Sequence, residues 1–264
     1  MKYSLAFVFA VLAIGCSGNS PGNEKRTETK PTGDRGEEVV AAYLKLDAAP
    51  YRKDRIRFTI KEEGGAVTVQ ELDVWRRQTD TATDTLSVIA KPSEDAGLGS
   101  LTYEEKDKPT VLVSYSTSRD EFRESDTGKM FFGGLTAQEL LGEWDKYSYH
   151  LINEQGAEGA KKFEIEGRLK PNQKSVIATN KVFFNAQTQL PAEMHLFDNT
   201  GKELRTIFHT ETKTANGKPY VSKTEVDNHI YNSHITIEVL SREFPEKIDD
   251  SMFAREKLKE SVKK

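Results

Sequence analysis

Apolar residues recur at two different spacings along this chain. Val39/Val40, Tyr43/Leu44 and Leu46 fall at helical intervals and predict a helix from about Glu37 to Ala48. Glu37 and Glu38 suit the positive end of its dipole, and Pro50 stops it. Beyond Pro50 the period drops to two. Ile56, Phe58 and Ile60 alternate with Arg55, Arg57 and Thr59, and Val111, Val113 and Tyr115 alternate with Thr110, Leu112 and Ser114. Phe163 and Ile165 alternate with Glu164 and Glu166, and Ile235, Ile237 and Val239 with His234, Thr236 and Glu238. Alternation of this kind predicts half-buried antiparallel strands. Between Val69 and Leu72 the apolar phase slips by one residue, which predicts a β-bulge. Asp198-Asn199-Thr200-Gly201, between Met194–Phe197 and Lys202–Phe208, predicts a four-residue hairpin. The whole pattern predicts about ten or eleven strands, a mainly β (α+β) fold.

Two further helices interrupt or end the strands. Thr136 and Glu139 form a capping box, with Leu135 and Leu140 as its staple, and the helix after it presents Leu140, Leu141 and Trp144. A last amphipathic helix starts near Asp250 and offers Phe253, Leu258 and Val262. An antiparallel sheet this long must curl or split. If it curls part-way, the concave face needs a cover, and these helices are expected to supply it.

The first residues read differently from the rest. One positive charge at Lys2, an apolar run Leu5–Ile14 and the small Gly15 before Cys16 make an export signal. The run is about half of the roughly 20 residues that a membrane-spanning helix needs. Leu12-Ala13-Ile14-Gly15-Cys16 is similar to the bacterial lipobox, with Ala13 where Leu is commonest. That similarity implies cleavage before Cys16 and a diacylglyceryl group on its sulfur. Cys16 is the chain's single cysteine, so it has no disulfide partner, which fits a lipid attachment better than a lone exported thiol. Two or three acyl chains give stable membrane anchoring where one does not. By the same resemblance, Ser17 in place of Asp favours the outer membrane, facing the periplasm. Ser17–Arg35 contains no large apolar residue and reads as a tether, with an end-to-end distance of roughly 25 Å as a flexible coil. The expected organisation is a signal over 1–15, the lipidated cysteine and tether over 16–36, and one folded domain over 37–264.

Charge and candidate chemistry narrow the function classes. The chain carries 38 basic against 42 acidic residues, a net charge of −4, and no basic stretch of the kind that recruits nucleic acid. His150, His195, His209, His229 and His234 show no metal-ligand spacing, so no metal is expected. Ser261-Val262-Lys263-Lys264 matches a Ser-x-x-Lys nucleophile pattern, but only on the terminal residues, where no preorganised site can be built. Paired acids such as Glu62-Glu63 and Glu104-Glu105 are adjacent, so on strands they point to opposite faces and cannot act jointly. No cofactor and no enzymatic activity are expected.

Several segments, in order, resemble one family. These are Trp75-Arg76-Arg77, Pro92 with Asp95-Ala96-Gly97-Leu98-Gly99-Ser100-Leu101, and Tyr115 ending a strand. Phe132-Gly133-Gly134-Leu135-Thr136-Ala137-Gln138-Glu139-Leu140-Leu141 comes next, then Leu190-Pro191, Asp198 with Gly201-Lys202, and Phe253 with Leu258. Together they resemble the lipoprotein-sorting superfamily of LolA and LolB, and within it the LolA-like, lipid-anchored branch. The resemblance implies a curved antiparallel half-barrel with helices on its concave face, enclosing an apolar cavity for acyl chains of lipoproteins or lipids. The alternative is a structural or sensory envelope lipoprotein that binds a protein partner. The residues expected to line the cavity are Phe58, Trp75, Val113, Tyr115, Phe163, Ile165, Phe208 and Ile237, with Leu140, Leu141 and Trp144 as a lid. For each of the eight, plain core packing is the competing assignment.

Overall fold

Pro50 separates one helix from a chain of thirteen strands. The computed structural model describes residues 35–92, 97–105, 108, 110–125, 135, 144–156 and 161–262. Helix α1 (Arg35–Asp47) is followed by β1 (Tyr51–Lys61), β2 (Val67–Gln78), β3 (Ala82–Lys91), β4 (Leu98–Glu105), β5 (Val111–Ser116) and β6 (Glu121–Ser125). After a 3₁₀ turn at Trp144–Lys146 come β7 (Tyr147–Gln155), β8 (Lys162–Leu169), β9 (Thr179–Asn185) and β10 (Pro191–Phe197). β11 (Glu203–Ala215), β12 (Lys218–Asn228), β13 (Ser233–Glu243), a second 3₁₀ turn at Asp250–Phe253 and helix α2 (Arg255–Ser261) complete the chain.

All thirteen strands form one open antiparallel sheet in the order β6-β5-β4-β3-β2-β1-β13-β12-β11-β10-β9-β8-β7. Two meanders therefore meet at the centre, where the first strand pairs with the last. The expected ten or eleven strands fall short because elements such as β6 (EFRES) have a single apolar residue, Phe122, and no alternation to count. β2 runs in unbroken register with β1, and Val69 lies on the outer face, 45% exposed. The irregularity at Glu71/Leu72 comes instead from β3, where Lys91 and Ile89 face these two residues and Ala90 is the extra one. The hairpin at Asp198 forms as expected. The Asp198 carboxylate accepts hydrogen bonds from the Thr200 amide and hydroxyl and from the Lys202 amide, which holds its carboxyl below the usual range.

The helices take opposite faces of the sheet, and here expectation and structure part. α1 lies on the concave face, packing against β7 and β12, with Val40 buried beside Tyr149, Ile165, Val182 and Phe184. Its start also shields the edge strand, since the Glu37 carboxylate accepts the Tyr149 amide at 2.8 Å. The C-terminal segment packs on the outer face instead. Phe253, Leu258 and Val262 bury themselves against Leu86, Leu101, Val113 and Tyr115. Burial of side chains of this size stabilises by about 1.5–3 kcal/mol each. The expected single helix from Asp250 is broken at Ala254, whose extended backbone separates the 3₁₀ turn from α2. Tyr103 fixes the break by donating its hydroxyl to the Phe253 carbonyl at 2.8 Å. The signal and anchor with Cys16, most of the tether, and the capping-box helix with Leu140 and Leu141 lie outside the described residues, while Arg35 and Gly36 at the tether's end already belong to α1.

Candidate functional site

Inward-facing residues of β1 and β2 begin the site. Ile56 faces Leu72 and Asp54 faces Val74 across the β1–β2 ladder, and Phe58 faces Ile237 across the β1–β13 ladder. Following the same face outward brings in Ser87 and Thr85 of β3, Ser100 and Thr102 of β4, and Leu112 of β5. In the other direction it brings in Val226 of β12, Ile207 of β11, Met194 and Leu196 of β10, and Asn180 of β9. All of these except Asp54 line one cavity of about 500 Å³, closed further by Tyr43, Leu44 and Leu46 of α1 and by Leu135 and Trp144.

That shared lining requires a curved sheet. Leu112 belongs to the second strand of the order and Tyr147 to the thirteenth, yet both border the same cavity. In a flat sheet, eleven strand spacings would separate them by about 53 Å. The apolar side of the cavity carries an aromatic cluster under α1. Tyr43 meets Trp144 edge-on with centroids 5.2 Å apart and Phe184 at 5.8 Å. His209 faces the cavity with Nδ1 2.9 Å from the Thr224 hydroxyl, and burial pushes its imidazole down to about 4, so it is neutral at neutral pH. Burial also raises the Tyr149 phenol well above its ordinary value.

The charges on the wall are mostly of one sign. Arg52, Arg76, Arg205, Lys218 and Arg242 border the cavity, against the single carboxylate of Glu104 among the described lining residues. Asp54, 1% exposed, lies behind them. It accepts two hydrogen bonds from Arg242, of 2.8 and 3.0 Å, and forms an ion pair with Arg52, whose Nε lies 3.0 Å away. The Arg242 guanidinium also rests 4.5 Å over the Tyr220 ring. Among the described residues no group of three or more His, Cys, Asp or Glu is placed to hold a metal ion.

A family model whose description reads "Uncharacterized protein" matches residues 81–260. The chain belongs to that family. No curated protein sequence matches it. Among solved structures it is similar to a DUF1329 family protein from Desulfovibrio piger, at 15% identity over 87% of this chain and 100% of that one, with a TM-score of 0.80. A domain described as that of an outer membrane lipoprotein-sorting protein from Vibrio parahaemolyticus matches at 14% identity, 86% and 100% coverage and a TM-score of 0.78. A LolA superfamily protein from Nitrosomonas europaea matches at 8% identity, 84% and 98% coverage and a TM-score of 0.68. The fold is LolA-like.

Within this LolA-like fold the eight residues expected along the cavity separate into three groups. Phe58 and Ile237 line it, together with Trp144 of the expected lid. Phe163 and Ile165 lie on the concave face, but α1 is packed over them, so they fill core instead of bordering space. Trp75, Val113, Tyr115 and Phe208 point to the outer face. The first three pack beneath the C-terminal segment, and Phe208 stands opposite Glu193 and Glu225. The reason is that β3–β5 carry Leu86, Val88, Leu101, Val113 and Tyr115 outward, toward α2, and turn Thr85, Ser87, Ser100 and Thr102 inward, with Leu112 as the apolar residue of β5 on that side. Alternation finds the two faces of such strands without saying which is concave. The basic residues of the wall were missed for the same reason, although Arg52 shares the parity of Ile56 and Phe58 and could have been assigned to their face.

Proposed function

We propose that this chain is an exported lipoprotein, anchored through Cys16 and held off the outer membrane by residues 17–34, whose curved sheet binds an acyl chain of a lipoprotein or lipid. It acts by binding, not by catalysis. The observation that carries the reading is the cavity itself, about 500 Å³ and bordered along its middle by Ile56, Phe58, Leu72, Ile207, Val226 and Ile237. That volume falls within the roughly 300–1,000 Å³ of small-molecule sites. An apolar band needs no placed polar group to hold a hydrocarbon, because removal of apolar area supplies about 25 cal/mol per Å². The similarity in fold to a domain described by lipoprotein sorting supports the same reading.

The test is lipid mass spectrometry on protein purified without detergent and then denatured. Released acyl lipid from the wild type, and its loss in Ile237→Trp with an unchanged circular dichroism spectrum, is the expected result. An empty wild-type protein that also fails to take up added amphiphile would overturn it. Crosslinking in cells to one envelope protein, undisturbed by Ile237→Trp, would instead assign the sheet to a protein partner. The anchor is tested separately. The wild type should incorporate labelled palmitate and enter the detergent phase, and Cys16→Ser should do neither.

A further inference from the structure

Antiparallel topology gathers four of the five basic wall residues at one rim of the cavity. β1 starts where β2 ends, where β13 ends and where β12 starts, so Arg52, Arg76, Arg242 and Lys218 share one end of the sheet. Arg52 and Arg76 are direct cross-strand partners on the concave face. Like charges so placed are destabilising by themselves. The buried Asp54 carboxylate offsets part of this, serving both Arg52 and Arg242, and Glu104 is the remaining acid at the wall among the described residues. The chain as a whole is acidic at −4, yet this rim carries an excess of positive charge.

The same end is rich in hydroxyls. Thr85 faces Arg76 across the β2–β3 ladder and Thr102 faces Thr85 across the next. Farther in, the wall turns apolar at Ile56, Phe58 and Leu72. One end of the hollow thus offers guanidinium, ammonium and hydroxyl donors, and its middle offers hydrocarbon. Asp54 and Tyr220 hold Arg242 from two sides, so the guanidinium is oriented before any ligand arrives. A cleft lined by one sign of charge between low-dielectric walls focuses its field on whatever enters.

We infer that the cavity's ligand is an anionic single-chain amphiphile, with its phosphate or carboxylate seated among Arg52, Arg76, Arg242 and Lys218 and its hydrocarbon in the apolar band. This rests on the acyl-binding reading above and adds the headgroup to it. Guanidinium groups hold phosphate and carboxylate through charge-assisted, often bidentate hydrogen bonds, which an uncharged glycerol head cannot make.

The test uses the full chain after the signal, with Cys16→Ser, and displacement of the neutral apolar probe N-phenyl-1-naphthylamine. Palmitoyl-lysophosphatidylglycerol and palmitate are compared with monopalmitoylglycerol, which has a similar chain and no charge, and with inorganic phosphate. The anionic amphiphiles should bind about tenfold tighter than monopalmitoylglycerol at low salt. Arg76→Gln, or Lys218→Gln if the first variant does not fold, should shrink that preference to about threefold or less, by weakening the anionic amphiphiles more than monopalmitoylglycerol. Equal affinities for charged and uncharged amphiphiles would overturn the headgroup seat and leave the acyl cavity standing. Failure of the probe and of every amphiphile to bind would overturn both. If inorganic phosphate competes as well as the anionic amphiphiles do, the rim takes free anions and the amphiphile assignment falls.

Discussion

Arg242 lays its guanidinium in two hydrogen bonds on the carboxylate of Asp54, a residue 188 positions earlier in the chain. The pair ties the last strand to the first at the centre of the sheet, where the two meanders also meet through the more exposed ion pairs Lys53–Glu243 and Arg57–Glu238. Asp54 is 1% exposed, so its loss leaves two guanidinium groups without the carboxylate they share. Asp54→Ala should therefore lower stability by about 3 kcal/mol, the lower end for breaking a buried pair because Arg242 still borders a cavity. Urea denaturation should show this as a lower midpoint with an unchanged slope. The double variant Asp54→Leu with Arg242→Met should recover part of the loss, since it removes one of the two stranded charges as well.

His209 makes stability depend on pH in a defined window. Its folded value is about 4, while an unfolded histidine keeps an ordinary value near 6.5. Between these values the unfolded chain takes up a proton that the folded chain refuses. Its contribution is complete above about pH 6.5 and is lost as the pH falls toward 4, by up to about 3 kcal/mol. Carboxylates add their own losses in acid, so the informative quantity is a difference. His209→Gln should flatten the wild-type fall in urea midpoint between pH 6.5 and 4 and leave the profile above pH 7 parallel. Identical profiles across the window would remove His209 as the cause.

Gly99 sets how closely the C-terminal segment approaches the outer face. A Cβ at this position would stand 2.7 Å from Val262 Cγ1, 2.8 Å from Leu258 Cδ1 and 3.0 Å from the Ser87 carbonyl oxygen. Leu258 is fully buried there, and Lys259 adds a 2.7 Å ion pair to Asp120 at the same contact. Gly99→Val should force α2 off the sheet, at about 1–3 kcal/mol for an overpacked site. Limited proteolysis should then cut the wild type slowly and the variant rapidly after Glu246. The cavity lies on the other face of the sheet, so amphiphile binding by intact Gly99→Val protein should be preserved.

The fold was legible wherever a single residue's partner lay nearby in sequence. α1 and the Asp198 hairpin follow from local spacing and turn chemistry, and the structure has both. The site was legible only in part, because facing is a tertiary property. In β1 the charged alternate positions Arg55 and Arg57 mark the solvent side, so Phe58 could be assigned inward. In β4 and β5 both faces are buried to some degree, with Leu101 and Val113 outward under α2 and Thr102 and Leu112 inward. Apolarity there reports the helix that covers the outer face and not the hollow. The useful signal was at the far end of the chain: Phe253, Leu258 and Val262 needed a sheet face to cover, and assigning them one would have turned the hydroxyls of β3 and β4 inward.

Two phenylalanines that read alike in sequence should now behave differently. Phe58 is 5% exposed on the concave face, opposite Ile237, whereas Phe208 is half-buried on the outer face between Glu193 and Glu225. Truncating a buried phenylalanine costs about 3–5 kcal/mol, and the lower part of that range applies to Phe58 because it already borders open space. Phe208→Ala should cost under about 1 kcal/mol, since much of its ring remains in water in the folded chain. The two should also separate in binding. Phe58→Leu, which keeps the site apolar and the chain folded, should weaken displacement of the naphthylamine probe by a palmitoyl amphiphile, because Phe58 borders the hollow in which the acyl chain is proposed to lie. Phe208→Leu should leave displacement unchanged. A reversed ranking, with the outer ring controlling uptake, would move the binding surface to the other side of the sheet.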